Sequence, residues 1–168
     1  IESVKLWDLM QELINDLSDF DFLRIQNDFH NLKASIKAVY TDIIPDDLFL
    51  SGSKYNPETI YNCIKNSEYS ALPEKLIKAA EEAHKTLLKT GYGQLCDIII
   101  DKACLFSVYE YGKHSTCQVV RMYCELFVAS ADIKIAVRGT KLSKSREFML
   151  NAMCRCDSLD VEKLSKSA

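Results

Sequence analysis

Five glycines and three prolines in 168 residues leave few places where the chain could turn tightly or break, so its elements should be long, which favours helices. No apolar stretch approaches the roughly 18 residues needed to cross a bilayer. No leader of the secretory kind, with a charged start, apolar middle and small-residue end, opens the sequence. The formal net charge of −3 excludes indiscriminate attraction to nucleic acid phosphates. Seven cysteines form an odd set without framework spacing and read as reduced thiols of a cytosolic protein. The first residue is Ile1 rather than Met, as expected of a piece taken from a longer chain.

The motifs of catalysis are equally scarce. Gly91-Tyr92-Gly93 is too short to cradle a phosphate and is not followed by Lys-Ser/Thr. Serine, histidine and aspartate occur, but no local nucleophile motif joins them. Cys154 and Cys156 form Cys-x-Cys, short of the four ligands a zinc site wants, and His30, His84 and His114 stand apart. The acidic pairs Asp46-Asp47 and Glu81-Glu82 fit a solvated loop and a polar helix face. The sequence therefore offers no catalytic residue, no cofactor-binding residue and no metal ligand set. Nothing in it calls for a small-molecule substrate or for nucleic acid.

What is present is an internal repeat. NLKASIKA (Asn31 to Ala38) returns as DIKIAVRG (Asp132 to Gly139), with Asn31 matching Asp132, Leu32 matching Ile133, Lys33 matching Lys134, Ile36 matching Val137 and Lys37 matching Arg138. Downstream, GSKYNPETI (Gly52 to Ile60) parallels CDSLDVEKL (Cys156 to Leu164). The offset is 101 residues in the first block and 104 in the second, which places a three-residue insertion between them in the later copy. Two ordered blocks at nearly one spacing describe one architectural unit used twice.

Periodicity predicts helices throughout. Val4, Trp7, Met10, Ile14 and Leu17 mark one over residues 2–17, and Ser18 and Asp19 supply a break and a cap. Phe22, Ile25, Phe29, Leu32, Ile36 and Val39 form a seam at steps of three and four, ending soon after Tyr40. Thr41 to Tyr55 reads as a connector. Asn56 caps a short helix with Pro57 at its first position, Pro73 opens another to about Thr90, and Gly91 stops it. Gln94 to Tyr111 reads as helix despite Ile98 to Ile100, with Leu95, Ile99, Phe106 and Tyr109 on its apolar steps and a turn at Gly112 to Ser115. A long helix then carries Val119, Val120, Tyr123, Leu126, Phe127, Ile133 and Val137. Ser143 or Ser145 caps a short helix through Met153, and Asp160 starts the last. The expected class is all-α.

Within the repeat, Lys33 and Lys37 lie four apart, as do Lys134 and Arg138, so each pair projects from one side of its helix. Surface charges are common and a solvated face is the default. Recurrence at matched positions makes these four the candidate partner-contact residues, a basic surface for an acidic partner.

The strings NDFHNLKASIKAVY (Asn27 to Tyr40), LPEKL (Leu72 to Leu76), IKIAVRGTKLSKSREFMLNAM (Ile133 to Met153) and SLDVEKL (Ser158 to Leu164) resemble the C-type stalk component of bacterial and archaeal V-type (A-type) ATPases, a relative of the d-type component of the eukaryotic proton pump. The resemblance implies a chain about twice this length, made of three pseudo-equivalent helical units set as a funnel. Residues 1–51 would then end the first unit, 52–152 would be the second, and 153–168 would begin the third, in one compact all-α body whose funnel is incomplete. It further implies a non-catalytic central-stalk socket, cytoplasmic and peripheral to the membrane, that joins the shaft subunits D and F to the membrane rotor ring. It could serve either ATP-driven ion transport or ATP synthesis. Seams meant for absent units would be exposed and would favour self-association of this piece. The rival reading, from the residues alone, is a cytoplasmic helical-repeat scaffold that binds other proteins.

Overall fold

Phe22, Ile25, Phe29, Leu32 and Ile36 are all buried, and the helix that carries them organises the first half of the protein. The computed structural model describes residues 2–13 and 17–167. These contain eight α-helices and no strand: α1 (Glu2–Leu13), α2 (Phe22–Thr41), α3 (Pro57–Lys65), α4 (Glu74–Thr90), α5 (Gly93–His114), α6 (Gln118–Lys141), α7 (Arg146–Ala152) and α8 (Val161–Ser167). The protein is all-α. By packing it divides into two compact units, residues 1–100 and 101–168, with the boundary inside α5. This division follows contacts, whereas the sequence echo counts units from residues 52 and 153; the two partition the chain on different grounds.

In the first unit α2 packs against α3 and α4. Leu32, Ile36, Ile60, Ile64 and Leu76 are among the most deeply buried side chains, and Ala79, Ala80 and Ala83 present a small-residue stripe of α4 to the core. The starts and stops are chemical. Asn56 accepts the amides of Glu58 (2.8 Å) and Thr59 (3.3 Å) and caps α3 behind Pro57. Gly91 closes α4 in the left-handed region at φ 65°, its N–H on the Leu87 carbonyl. The α2 helix ends at Asp42, also left-handed.

Two expectations change here. Ser18 begins a 3-10 turn rather than a cap, and α2 starts after Asp21 without a side-chain cap. The first helix is seen over Glu2–Leu13; the expected stretch at 14–16, and the side chain of Val4, lie outside the described residues, and Leu17, expected to end that helix, instead leads into the 3-10 turn. Trp7 of α1 lies under the guanidinium of Arg24, 5.0 Å from its ring centre, a cation–π contact between α1 and α2.

The second unit is built on α6, which packs with α7 and α8. Its core has two neighbouring clusters. One holds Leu105, Tyr109, Val128 and Cys154; the other holds Ala136, Met149, Met153 and Val161, and Ile135 packs against both. Ser145 caps α7 by accepting the Phe148 amide at 3.1 Å, and Asp160 caps α8 by accepting those of Glu162 (3.0 Å) and Lys163 (3.1 Å). Arg146 ties the two helices by pairing with Glu162.

The reading of α5 needs two corrections. Gly112 is not in a turn: α5 continues to His114, and the glycine serves close packing, since a Cβ there would sit 2.5 Å from Cys124 Cβ. The buried residues are Cys96, Ile100, Cys104, Leu105, Val108 and Tyr109, while Phe106 is exposed. A helix apolar on nearly every side gives periodicity no grip on which face turns inward.

Candidate partner-contact surface

The connector after α2 is fastened to that helix by side chains one turn apart. Asn31 accepts the Leu50 amide at 2.7 Å and donates its own amide to the Leu50 carbonyl at 3.0 Å. Asp28 accepts the amides of Lys54 (2.8 Å) and Tyr55 (3.2 Å), Asn27 donates to the Ser51 carbonyl, and Arg24 donates to that of Ser53. Backbone groups of an irregular segment need partners, and here α2 supplies them.

The second copy repeats the arrangement in register. Asp132, which matches Asn31, accepts the Cys154 amide at 3.0 Å, and Cys154 stands 104 residues after Leu50. Ser158, the counterpart of Lys54, donates its amide to Glu125 at 2.6 Å. Asp28 is replaced by Ala129, which has nothing to offer, and the longer Glu125 reaches across from one turn earlier. The caps match as well: Asn56 with Asp160, each holding the amides two and three residues on. The inserted residues therefore fall between the long helix and the point where the connector is fastened.

One substitution changes the chemistry. Asn31 both accepts and donates, whereas a carboxylate only accepts. Oδ2 of the fully buried Asp132 has no hydrogen-bond partner. Burial raises the Asp132 carboxyl to about 6, against the pull of the Cys154 amide and the charge of Lys102. Burial also raises Asp28, although the amides of Tyr55 and Lys54 oppose it.

The copies differ most in what covers them. On α2 the residues Phe22, Ile25, Leu32 and Ile36 are 0–7 % exposed; the matched Tyr123, Leu126, Ile133 and Val137 of α6 are 42–58 % exposed. The opposite face, with Val120, Cys124, Val128, Asp132 and Ala136, is buried. Amphipathic spacing alone gives no sign of this, because Leu126, Ile133 and Val137 are as apolar as their buried counterparts.

The four basic candidates fare differently. Lys37 is half-exposed and pairs with Asp97 of α5 at 2.7 Å, and Lys33 is half-buried. Lys134 and Arg138 are exposed on α6, beside Ile133 and Val137. Cys154 is buried and its thiol is pushed up to about 11 by that burial, which favours the neutral form. Cys156 is half-buried. His84 is buried with Nδ1 2.8 Å from the Tyr69 hydroxyl, and burial lowers its pKa. Among the described residues no three His, Cys, Asp or Glu side chains are grouped so as to hold a metal ion, and no helix is long and apolar enough to cross a membrane.

A family model described as ATP synthase (C/AC39) subunit matches residues 2–168. The chain belongs to this family. It is thus a member of the C/d group of V-type and A-type ATPase components, as its repeated blocks suggested. No curated protein and no solved structure matches the chain.

Proposed function

We propose that this chain is part of a non-catalytic central-stalk subunit, a socket that couples the rotor shaft of a V-type ATPase to the ion-carrying ring in the membrane. Its partners in this reading are the shaft subunits D and F and the rotor ring, and it sits on the cytoplasmic side, peripheral to the membrane. It holds no cofactor of its own. Family membership over residues 2–168 carries the proposal. A repeated helical unit, cross-braced by the same backbone-to-side-chain bond in each copy, supports it, because a coupler must resist twisting and close-packed helices are stiff.

The units at 1–51, 52–152 and 153–168 belong to this reading, as repeats of one socket wall. So do Lys33, Lys37, Lys134 and Arg138 as partner contacts. Lys134 and Arg138 suit the role best, being exposed, while Asp97 already engages Lys37.

Removal of the full-length subunit from its host tests the proposal. The expected result is an ATPase head that still hydrolyses ATP while ATP-driven ion transport in membrane vesicles is lost, with shaft and ring no longer copurifying. Transport that stays coupled, with only soluble proteins recovered as partners, would instead favour the helical-repeat scaffold.

A further inference from the structure

The second copy of the repeat buries an acid that the fold leaves half-satisfied. Asp132 has no exposure; its Oδ1 accepts the Cys154 amide at 3.0 Å, and its Oδ2 has no hydrogen-bond partner. An unpaired polar atom in a core is costly, and an unpaired charge is costlier. A neutral carboxylic acid avoids the second cost and turns one oxygen into an O–H donor. That donor then needs an acceptor.

The first copy shows where one lies. Asn31 stands at the matching position, accepting the Leu50 amide through Oδ1 at 2.7 Å and donating from Nδ2 to the Leu50 carbonyl at 3.0 Å. Asparagine and aspartic acid have the same shape and differ only in that nitrogen and its hydrogens. Both carry the Oδ1 bond to the connector, Asn31 to Leu50 and Asp132 to Cys154. The remaining atom of each side chain is Nδ2 in one copy and Oδ2 in the other.

The groups around Asp132 do little to hold it ionised. On α5, Lys102 is the cation whose field favours the carboxylate, but its side chain is exposed and Nζ lies 3.4 Å from the Leu150 carbonyl. Glu110, also on α5, acts on Cys154 and disfavours negative charge there. On the connector, burial keeps the thiols of Cys154 and Cys156 neutral. On α6 itself Glu125 holds the Ser158 amide, and on α7 and α8 Arg146 and Glu162 pair with each other. Burial therefore dominates, and it raises the Asp132 carboxyl to about 6.

We infer that Asp132 is a proton-binding site that fastens the second connector to α6 by two bonds when it holds the proton and by one when it does not. In the protonated state Oδ2–H donates to the Cys154 carbonyl, as Asn31 Nδ2 donates to that of Leu50. Loss of the proton removes this bond and sets a carboxylate oxygen against a carbonyl oxygen, so the connector loosens around residues 153–158. The first copy has an amide at that place, with no proton to lose, and stays fastened. One unit thus carries a pH-independent fastening and the other a proton-operated one. The inference concerns this pair of groups and does not depend on the coupling role argued above.

NMR of the isotopically labelled chain tests it. The Asp132 carboxyl carbon should titrate well above the ordinary 3.8, and the Cys154 carbonyl carbon should shift with the same midpoint while that of Leu50 stays still. Hydrogen exchange at the Cys154 amide, corrected for its intrinsic dependence on pH, should lose about tenfold or more in protection from pH 5 to pH 7.5. Protection at Leu50 should not change. Asp132→Asn should abolish both responses at Cys154 with circular dichroism unaltered. Should that variant lose its fold, Lys102→Met, which removes the cation acting on the acid, should move the carboxyl midpoint and the protection step upward together. An ordinary carboxylate midpoint, a Cys154 carbonyl that does not follow the titration, or equal losses at Leu50 and Cys154 would overturn the inference. So would a response that survives in Asp132→Asn, or a protection step in Lys102→Met that fails to move with the midpoint.

Discussion

Cys154 donates its backbone N–H to Oδ1 of Asp132 at 3.0 Å, the same bond that Leu50 makes to Asn31 at 2.7 Å in the earlier copy. The residues on either side of it are not conserved in kind between copies: leucine has become cysteine and an amide has become a carboxylic acid. What persists is an acceptor on a buried helix face and an amide on the returning connector. The cost of leaving either group unpaired in the core explains why that pairing outlasts the side chains around it.

Asp132→Asn should stabilise the second unit near neutral pH and do little in acid. The folded carboxyl sits at about 6, above its ordinary 3.8, so the folded state binds the proton more tightly than the unfolded one. Below 3.8 the group costs nothing. Its penalty grows as pH rises toward 6 and is complete above that, on the order of 3 kcal/mol. The asparagine removes the ionisation and restores a donor of the kind Asn31 extends to the Leu50 carbonyl. Denaturant unfolding of both proteins from pH 4 to pH 8 should show a gap that widens and then levels off; a gap constant with pH would refute this account.

Asn31→Asp is the mirror experiment. The variant keeps the acceptor for the Leu50 amide but loses the donor to its carbonyl, in a site with no exposure. A loss of about 1–3 kcal/mol is expected at pH 7, shrinking on acidification as the acid group regains a proton to donate. Hydrogen exchange at the Leu50 amide should accelerate in parallel at pH 7.

Gly112→Ala should destabilise more than Gly139→Ala, although alanine is the better helix former at both. At Gly112 the new methyl meets Cys124 Cβ at 2.5 Å, an atom tied to the backbone of α6, so the helices must part. At Gly139 it meets Met149 Sδ at 2.4 Å, within an unbranched side chain that can turn aside. Losses of about 2–3 and about 1 kcal/mol are expected. Gly93→Ala, with nothing within 4 Å, is the control and should be neutral or slightly stabilising.

Alkylation by iodoacetamide at pH 7.5, followed by peptide mass spectrometry, should modify Cys117 first and Cys154 and Cys124 last. Cys117 is exposed, whereas burial raises both other thiols to about 11 and blocks access. Rapid labelling of Cys154 in the folded protein would show that the core around Val128 and Tyr109 opens readily.

Much of the local structure could be read from residue order. Asn56 before Pro57, Asp160, Ser145 and Gly91 each set a helix boundary through groups within a few residues, so their effect needs no distant partner. The seam from Phe22 to Ile36 and the repeat itself were legible for a similar reason: spacing along a helix is a property of the chain. The polar fastening of the connectors had one readable trace, the matched Asn31 and Asp132 beside otherwise apolar positions, but its partners are backbone groups some twenty residues away.

Sequence by itself therefore determined that the chain is helical, where most helices begin and end, and that one unit occurs twice. Only the tertiary structure decided which apolar faces are covered. Leu32 and Ile133 stand at equivalent positions of equivalent helices, yet one has no exposure and the other is nearly half exposed. Periodicity records that a face wants cover; whether another element lies across it depends on packing far along the chain. The same holds for Gly112, whose meaning as a contact rather than a turn exists only once α6 lies beside it.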